Sequence, residues 1–85
     1  MKEFTYTVKD KVGIHARPAG LLVKLVKEYA SDIYIEKGDI RIKADRLIAI
    51  MNMGIKQGDT VRLTFMGEDE EEAYKNVLSF FENNL

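Results

Sequence analysis

Near the start of the chain Phe4, Tyr6 and Val8 alternate with Thr5, Thr7 and Lys9. A period of two predicts a strand with one buried face. The period then changes: from Ala16 to about Tyr29, Ala19, Leu22, Val23 and Val26 recur at helical spacing, with Lys24, Lys27 and Glu28 on the other side. That pattern predicts an amphipathic helix. Residues 33–44 alternate again on both sides of Gly38-Asp39, a two-residue turn with glycine first, which is the type II′ preference. If Lys37 faces Ile40 across the turn, Ile35 faces Ile42 and Ile33 faces Ala44. All four isoleucines of the hairpin then fall on one side.

Leu47 to Met53 is apolar almost all round and stops at Gly54, a favourable residue just past a helix end. It predicts a short helix with Asp45 or Arg46 near its start. After a turn at Gly58-Asp59, Val61, Leu63 and Phe65 alternate with Arg62, Thr64 and Met66 up to Gly67, which predicts the last strand. Asp69 is the expected cap of a final helix, with Glu72 completing a capping-box pair and Glu70 and Glu71 favoured by the positive helix end. Ala73, Val77, Leu78 and Phe81 form its buried stripe. The order is βαββαβα in one domain, residues 1–85, with no linker, internal repeat or low-complexity segment. Strands of alternating polarity each need one covered face. The economical arrangement is an α+β fold, an open-faced β-sandwich in which three helices cover one side of a four-stranded antiparallel sheet.

Composition narrows the function. A chain of 85 residues with 46% hydrophobic and 32% charged residues builds one modest core. Its formal net charge of −1 lacks the basic excess of a nucleic-acid binder. With no cysteine there is neither a disulfide framework nor a thiolate site, and a single histidine rules out a multi-histidine metal centre. The carboxylates follow no recognisable calcium-loop spacing, so no metal and no cofactor are expected. No apolar stretch approaches the roughly 20 residues of a membrane span, and the first residues lack the apolar middle of a secretory signal. The expected setting is cytoplasmic, without membrane insertion.

The candidate chemistry lies in Gly13-Ile14-His15-Ala16-Arg17-Pro18-Ala19, between the first strand and the first helix, which holds the only histidine and the only proline. Proline is tolerated in a first helical turn, where backbone N–H groups lack intrahelical partners, so Pro18 sets the helix start close to His15 or Ala16. His15 then stands at the N-cap. Free N–H groups and the positive helix end there, beginning at Ala16, form a site for a phosphate-sized anion. Arg17 can add charge-assisted hydrogen bonds. An unprotonated imidazole is a competent nitrogen nucleophile. Most lone histidines ahead of a helix simply cap it or face water, so these residues alone define an anion site and name no reaction.

The seven-residue run from Gly13 to Ala19 resembles the active-site signature of HPr, the histidine-containing phosphocarrier family of the bacterial sugar phosphotransferase system. The resemblance continues through Ile48-Ala49-Ile50-Met51-Asn52-Met53-Gly54-Ile55, at Gly58 and Gly67, and at the acidic start of the last helix, so it covers essentially the whole chain. It implies that enzyme I phosphorylates His15 on Nδ1, with phosphoenolpyruvate as source. Arg17 would assist, Pro18 would fix the helix start, and the group would pass to an enzyme IIA component for sugar uptake. Such a chain is a carrier and not an enzyme in isolation, and a monomer is the default for a diffusing shuttle.

For docking, the candidates are Leu47, Ile48 and Met51. The expectation is that Ile50 and Met53 point inward while Ile48 and Met51 point outward near the reactive residue. Lys24 and Lys27 could steer acidic partners, and Gly20 could admit a partner's backbone. Two positions depart from the family pattern. Arg46 stands where many Gram-positive members carry a regulatory serine, which argues against kinase control at that site. Val12 replaces a small polar residue that can hydrogen-bond near the histidine. These departures support a second reading, a paralogue of regulatory role acting through phosphorylation or by contact alone.

Overall fold

The structure is a computed structural model that describes residues 1–85. Its elements follow the expected order: β1 (Lys2–Thr7), α1 (Ala16–Val26), β2 (Asp32–Lys37), β3 (Ile40–Lys43), α2 (Leu47–Asn52), β4 (Thr60–Met66) and α3 (Glu70–Asn84). The strands form one antiparallel sheet in the order β1-β4-β2-β3.

The hairpin has the register that its turn requires. Lys37 pairs with Ile40 and Ile35 with Ile42, and Gly38 takes the positive φ of 57° demanded by the tight turn. The Ala44 N–H donates to the Ile33 carbonyl at 2.8 Å, which extends the alignment. Ile33 and Ile35 are buried, whereas Ile42 is half-buried and Ile40, at the hairpin tip, projects past the helices into solvent. One-sided alternation therefore carries the isoleucines to the correct face, and the reach of the core decides how many are covered.

α1 and α3 pack on the sheet face that presents Phe4, Ile33, Ile35, Val61, Leu63 and Phe65. Ala19, Leu22, Val23 and Val26 come down from α1 and Ala73, Val77 and Phe81 from α3, all buried; Leu78 is half-buried beside them. Phe81 sits at the centre of an aromatic group, its ring centroid 5.6 Å from Phe4 and 5.4 Å from Tyr6 in edge-on contacts favoured by the ring quadrupoles. On the uncovered face an ion chain runs from Glu3 to Arg62, then to Glu36 at 3.9 Å and Arg41 at 3.5 Å, and so touches every strand. The Arg41 guanidinium lies 3.7 Å over the Tyr34 ring.

Two sequence expectations are corrected. The helix predicted to about Tyr29 ends at Val26, and Glu28 and Tyr29 donate to Leu25 and Val26 in tight three-residue turns. The half-buried Tyr29 ring continues the apolar spacing past the helix end, and its hydroxyl accepts a bond from Asn76 of α3. At the last helix, Asp69 takes the N-cap position but makes no capping bond, and Glu72 is exposed. The Asp69 carboxylate accepts instead from the N–H groups of Ala30 and Ser31, at 2.8 and 2.9 Å, and from the Ser31 hydroxyl at 2.5 Å. Glu70 is the residue that reaches back, accepting the Gly67 N–H. Asp69 thus fastens the α1–β2 turn to the start of α3, a long-range contact invisible to local spacing.

A second fastening positions the segment that carries His15. Gly13 has a φ of 78°, and a Cβ built there would lie 2.3 Å from the Ile55 carbonyl oxygen, which accepts the Ile14 N–H at 3.0 Å. Upstream, the Asp10 carboxylate accepts the Val12 N–H, and the N–H groups of Lys9 and Asp10 donate to the Leu85 carbonyl. Ile14 is buried, so the chain leaves this anchor with His15 facing outward.

Gly13→Ala should therefore cost more than about 2 kcal/mol in urea unfolding, because alanine disfavours the positive φ and its methyl collides with backbone. Hydrogen bonds to Ser31 and to the backbone hold the Asp69 carboxyl below the usual aspartate range. A depressed folded value means that this stability is present above the unfolded pKa and is lost as pH falls through the folded one. The wild-type advantage over Asp69→Asn in urea midpoint should be full above about pH 5 and shrink toward zero in stronger acid. An advantage independent of pH would contradict the assignment.

Candidate functional site

His15 occupies the N-cap of α1 with an extended backbone (φ −114°, ψ −172°), and its carbonyl accepts the Ala19 N–H at 2.9 Å. That bond starts the helix through the main chain alone. The imidazole makes no capping hydrogen bond and is exposed, so the ring is uncommitted. Ala16, Arg17 and Pro18 follow as the first helical turn. The N–H groups of Ala16 and Arg17 have no intrahelical acceptor by position, and Pro18 has no N–H to leave unpaired.

Arg17 is exposed, and none of the chain's ion pairs involves it. His15, Arg17, Pro18 and Leu21 line a shallow depression of about 170 Å³ together with Asn84 from the end of α3. No carboxylate lines it. An open hollow of this kind suits a small anion delivered by another macromolecule better than an enclosed metabolite. Larger concavities of about 310 and 210 Å³ lie elsewhere, around Tyr34 and Arg41. Arg41 and Lys43 there already face Glu36 and Asp32 at 3.5 Å, and although Arg46 lines the larger one unpaired, only the hollow at the head of α1 joins a free guanidinium to an imidazole, which makes it the candidate site.

Of the docking candidates, α2 shows the split that its pattern predicts. Ile50 and Met53 are buried, whereas Ile48 is 66% exposed and Met51 and Leu47 project beside it. Arg46 is the N-cap of α2, and Gly54 beyond its end takes a φ of 65°. Lys24 and Lys27 are exposed. A Cβ on Gly20 would meet nothing within 4 Å, so the packing of this chain does not itself require glycine there. Val12 is 65% exposed in the loop before the histidine. The sequence reading missed Asn84 and Leu21, because no local pattern relates the last turn of α3 to residue 15. Leu21 alone carried a hint, as an apolar residue off the buried stripe of α1.

Comparison with known proteins agrees with this geometry. The family model described as PTS HPr component phosphorylation site matches residues 2–83. The HPr-like protein Crh of Halalkalibacterium halodurans is 37% identical over 82 residues, covering 96% of this chain and 98% of the relative. Phosphocarrier protein HPr of Mycoplasma genitalium is 33% identical over 85 residues, covering 99% and 97%. Among solved structures, HPr-C-His from Thermoanaerobacter tengcongensis superposes with a TM-score of 0.92 at 41% identity, covering 98% of this chain and 93% of the other. No helix is long and apolar enough to cross a membrane. In fold, in sequence and in the single histidine at the head of its first helix, the chain belongs to the HPr family of phosphotransferase-system proteins, and it is a phosphocarrier, not an enzyme.

Proposed function

We propose that this chain accepts a phosphoryl group from enzyme I on His15 Nδ1, with phosphoenolpyruvate as the original source, and passes it to enzyme IIA components for sugar uptake. The observation that carries the reading is the free, exposed imidazole at the N-cap of α1 beside an unpaired Arg17. In the transfer the Nδ1 lone pair forms the N–P bond while the donor's bond to phosphorus breaks and its electron pair stays with the donor atom. The ring keeps its Nε2 proton and takes up positive charge, which leaves the phosphoryl group ready to depart to the next acceptor. Arg17 and the amides of Ala16 and Arg17 stabilise the charge on the equatorial oxygens. Catalysis of such a step is mostly alignment and electrostatics, supplied jointly with the partner.

Partners dock on the exposed part of α2, Leu47, Ile48 and Met51, next to Gly20, with Lys24 and Lys27 drawing in acidic surfaces. Methionine suits a surface shared among several clients, since its unbranched side chain adapts. The carrier works in the cytoplasm as a monomer. A second reading, a regulatory paralogue with other clients, is favoured by the likeness to Crh and by the exposed Val12. Arg46 removes the hydroxyl through which a kinase could act at that position.

Incubation with enzyme I and labelled phosphoenolpyruvate should yield an acid-labile, base-stable label that His15→Ala abolishes. Label that never moves to a sugar-specific IIA component would favour the regulatory paralogue, and a chain that no enzyme I labels would end the carrier reading. Ile48→Glu should leave the urea midpoint within about 0.5 kcal/mol of wild type, because the side chain is exposed. It should nevertheless weaken docking to enzyme I by roughly fivefold or more, read as a rise in KM for the carrier.

A further inference from the structure

The groups given a part in the transfer so far belong to α1 or the loop before it, yet the hollow beside His15 has a wall from the other end of the chain. That wall is Asn84, in the last turn of α3. Its side-chain Nδ2 donates to the Phe80 carbonyl at 2.9 Å. A carbonyl can only accept, so this bond decides which end of the amide is nitrogen. The NH₂ group carries two N–H donors, and one bond uses one of them. The other has no partner within the chain.

The placement of this amide is fixed by the segment that delivers the histidine. Leu85, the next residue, is buried, its N–H bonded to the Phe81 carbonyl at 2.9 Å. The Leu85 carbonyl accepts the N–H groups of Lys9 and Asp10 at 2.7 and 2.8 Å. The end of α3 and the approach to His15 are therefore one hydrogen-bonded unit, and Asn84 cannot drift from the hollow without breaking it. Asn83 makes a useful contrast: its Nδ2 bonds the Ser79 hydroxyl at 3.2 Å, and it does not line the hollow.

We infer that Asn84 contacts the phosphoryl group carried on His15, its free N–H donating to a phosphoryl oxygen. The assignment rests on His15 being the acceptor and adds a donor that the signature around residue 15 does not contain. The chemistry suits a carrier. A cation on each side would hold the dianion strongly and resist handing it on, and a carboxylate would repel it. A neutral amide orients the group with a modest bond that a receiving protein can replace.

Phosphoryl partition between enzyme I and the carrier reads this directly. Loss of one neutral hydrogen bond in Asn84→Ala should lower the equilibrium share on the carrier by about three- to tenfold. Asn84→Asp should lower it further by repulsion, while Asn83→Ala partitions as wild type. In the wild-type chain the side-chain NH₂ resonance of Asn84 should move on phosphorylation and that of Asn83 should stay, a readout independent of how well any variant folds. The inference is overturned if label sits on His15 while the Asn84 resonance does not move, or if Asn84→Ala and Asn84→Asp both partition as wild type. A wild-type chain that takes no label overturns the acceptor reading itself, and this one with it.

Discussion

One backbone contact determines where the imidazole stands. The Ile14 N–H is bonded to the Ile55 carbonyl, and the bare α-carbon of Gly13 lies against the same oxygen. This ties the segment after β1 to the segment between α2 and β4, which Gly58 and Asp59 already hold at Val8 and Gln57 at the Lys9 carbonyl. Ile14 is buried by the contact, and the next residue has only outward directions left to it. Because α1 begins there, the exposed ring and the unpaired amides coincide. The placement of the ring is thus a by-product of how the main chain turns a corner, and its cost is borne by packing that the core needs in any case.

How far the sequence discloses this molecule depends on the distance over which each feature is encoded. The β2–β3 hairpin is fully legible, since Gly38 dictates the turn and the turn dictates that Ile35 opposes Ile42. The α2 split is legible for the same reason: one turn of helix cannot hide Ile48 and Ile50 together. His15 at the N-cap follows from Pro18 alone. The features that local spacing misassigns are those whose partners are remote. Asp69 has the identity of a cap and the surroundings of a cross-link, because Ser31 competes for its carboxylate. Tyr29 keeps helical spacing outside the helix, because its partner is Asn76. Asn84 reaches residue 15 only through the closure of α3 onto Lys9 and Asp10. The role proposed for His15 comes from family resemblance and not from periodicity or charge.

The exposed side of α2 shows what folding alone would not retain. An isoleucine two-thirds exposed forgoes much of the roughly 1.5–3 kcal/mol that its burial would return. A domain of this size has little stability in reserve. Under the proposed function the same apolar area is available to a visiting protein, and it is recovered only while that protein stays. The open sheet face behaves differently, since its ion chain from Glu3 to Arg41 satisfies charges within the chain and leaves little for a visitor to gain. The two surfaces thus differ in kind, one leaving apolar area uncovered and the other pairing its charges within the chain.

β3 forms one margin of the sheet, and along it the sequence runs Ile40-Arg41-Ile42-Lys43. An uncapped margin of this kind invites another strand to dock, which is how many sheet proteins polymerise. Two copies meeting there head to tail would crowd guanidinium and ammonium groups from both sides into a single seam. Each of those groups already has its carboxylate, Glu36 or Asp32, on the neighbouring strand, so the seam would strip water from hydrated ion pairs and gain no new one, and that cost guards the margin against ribbon-like stacking.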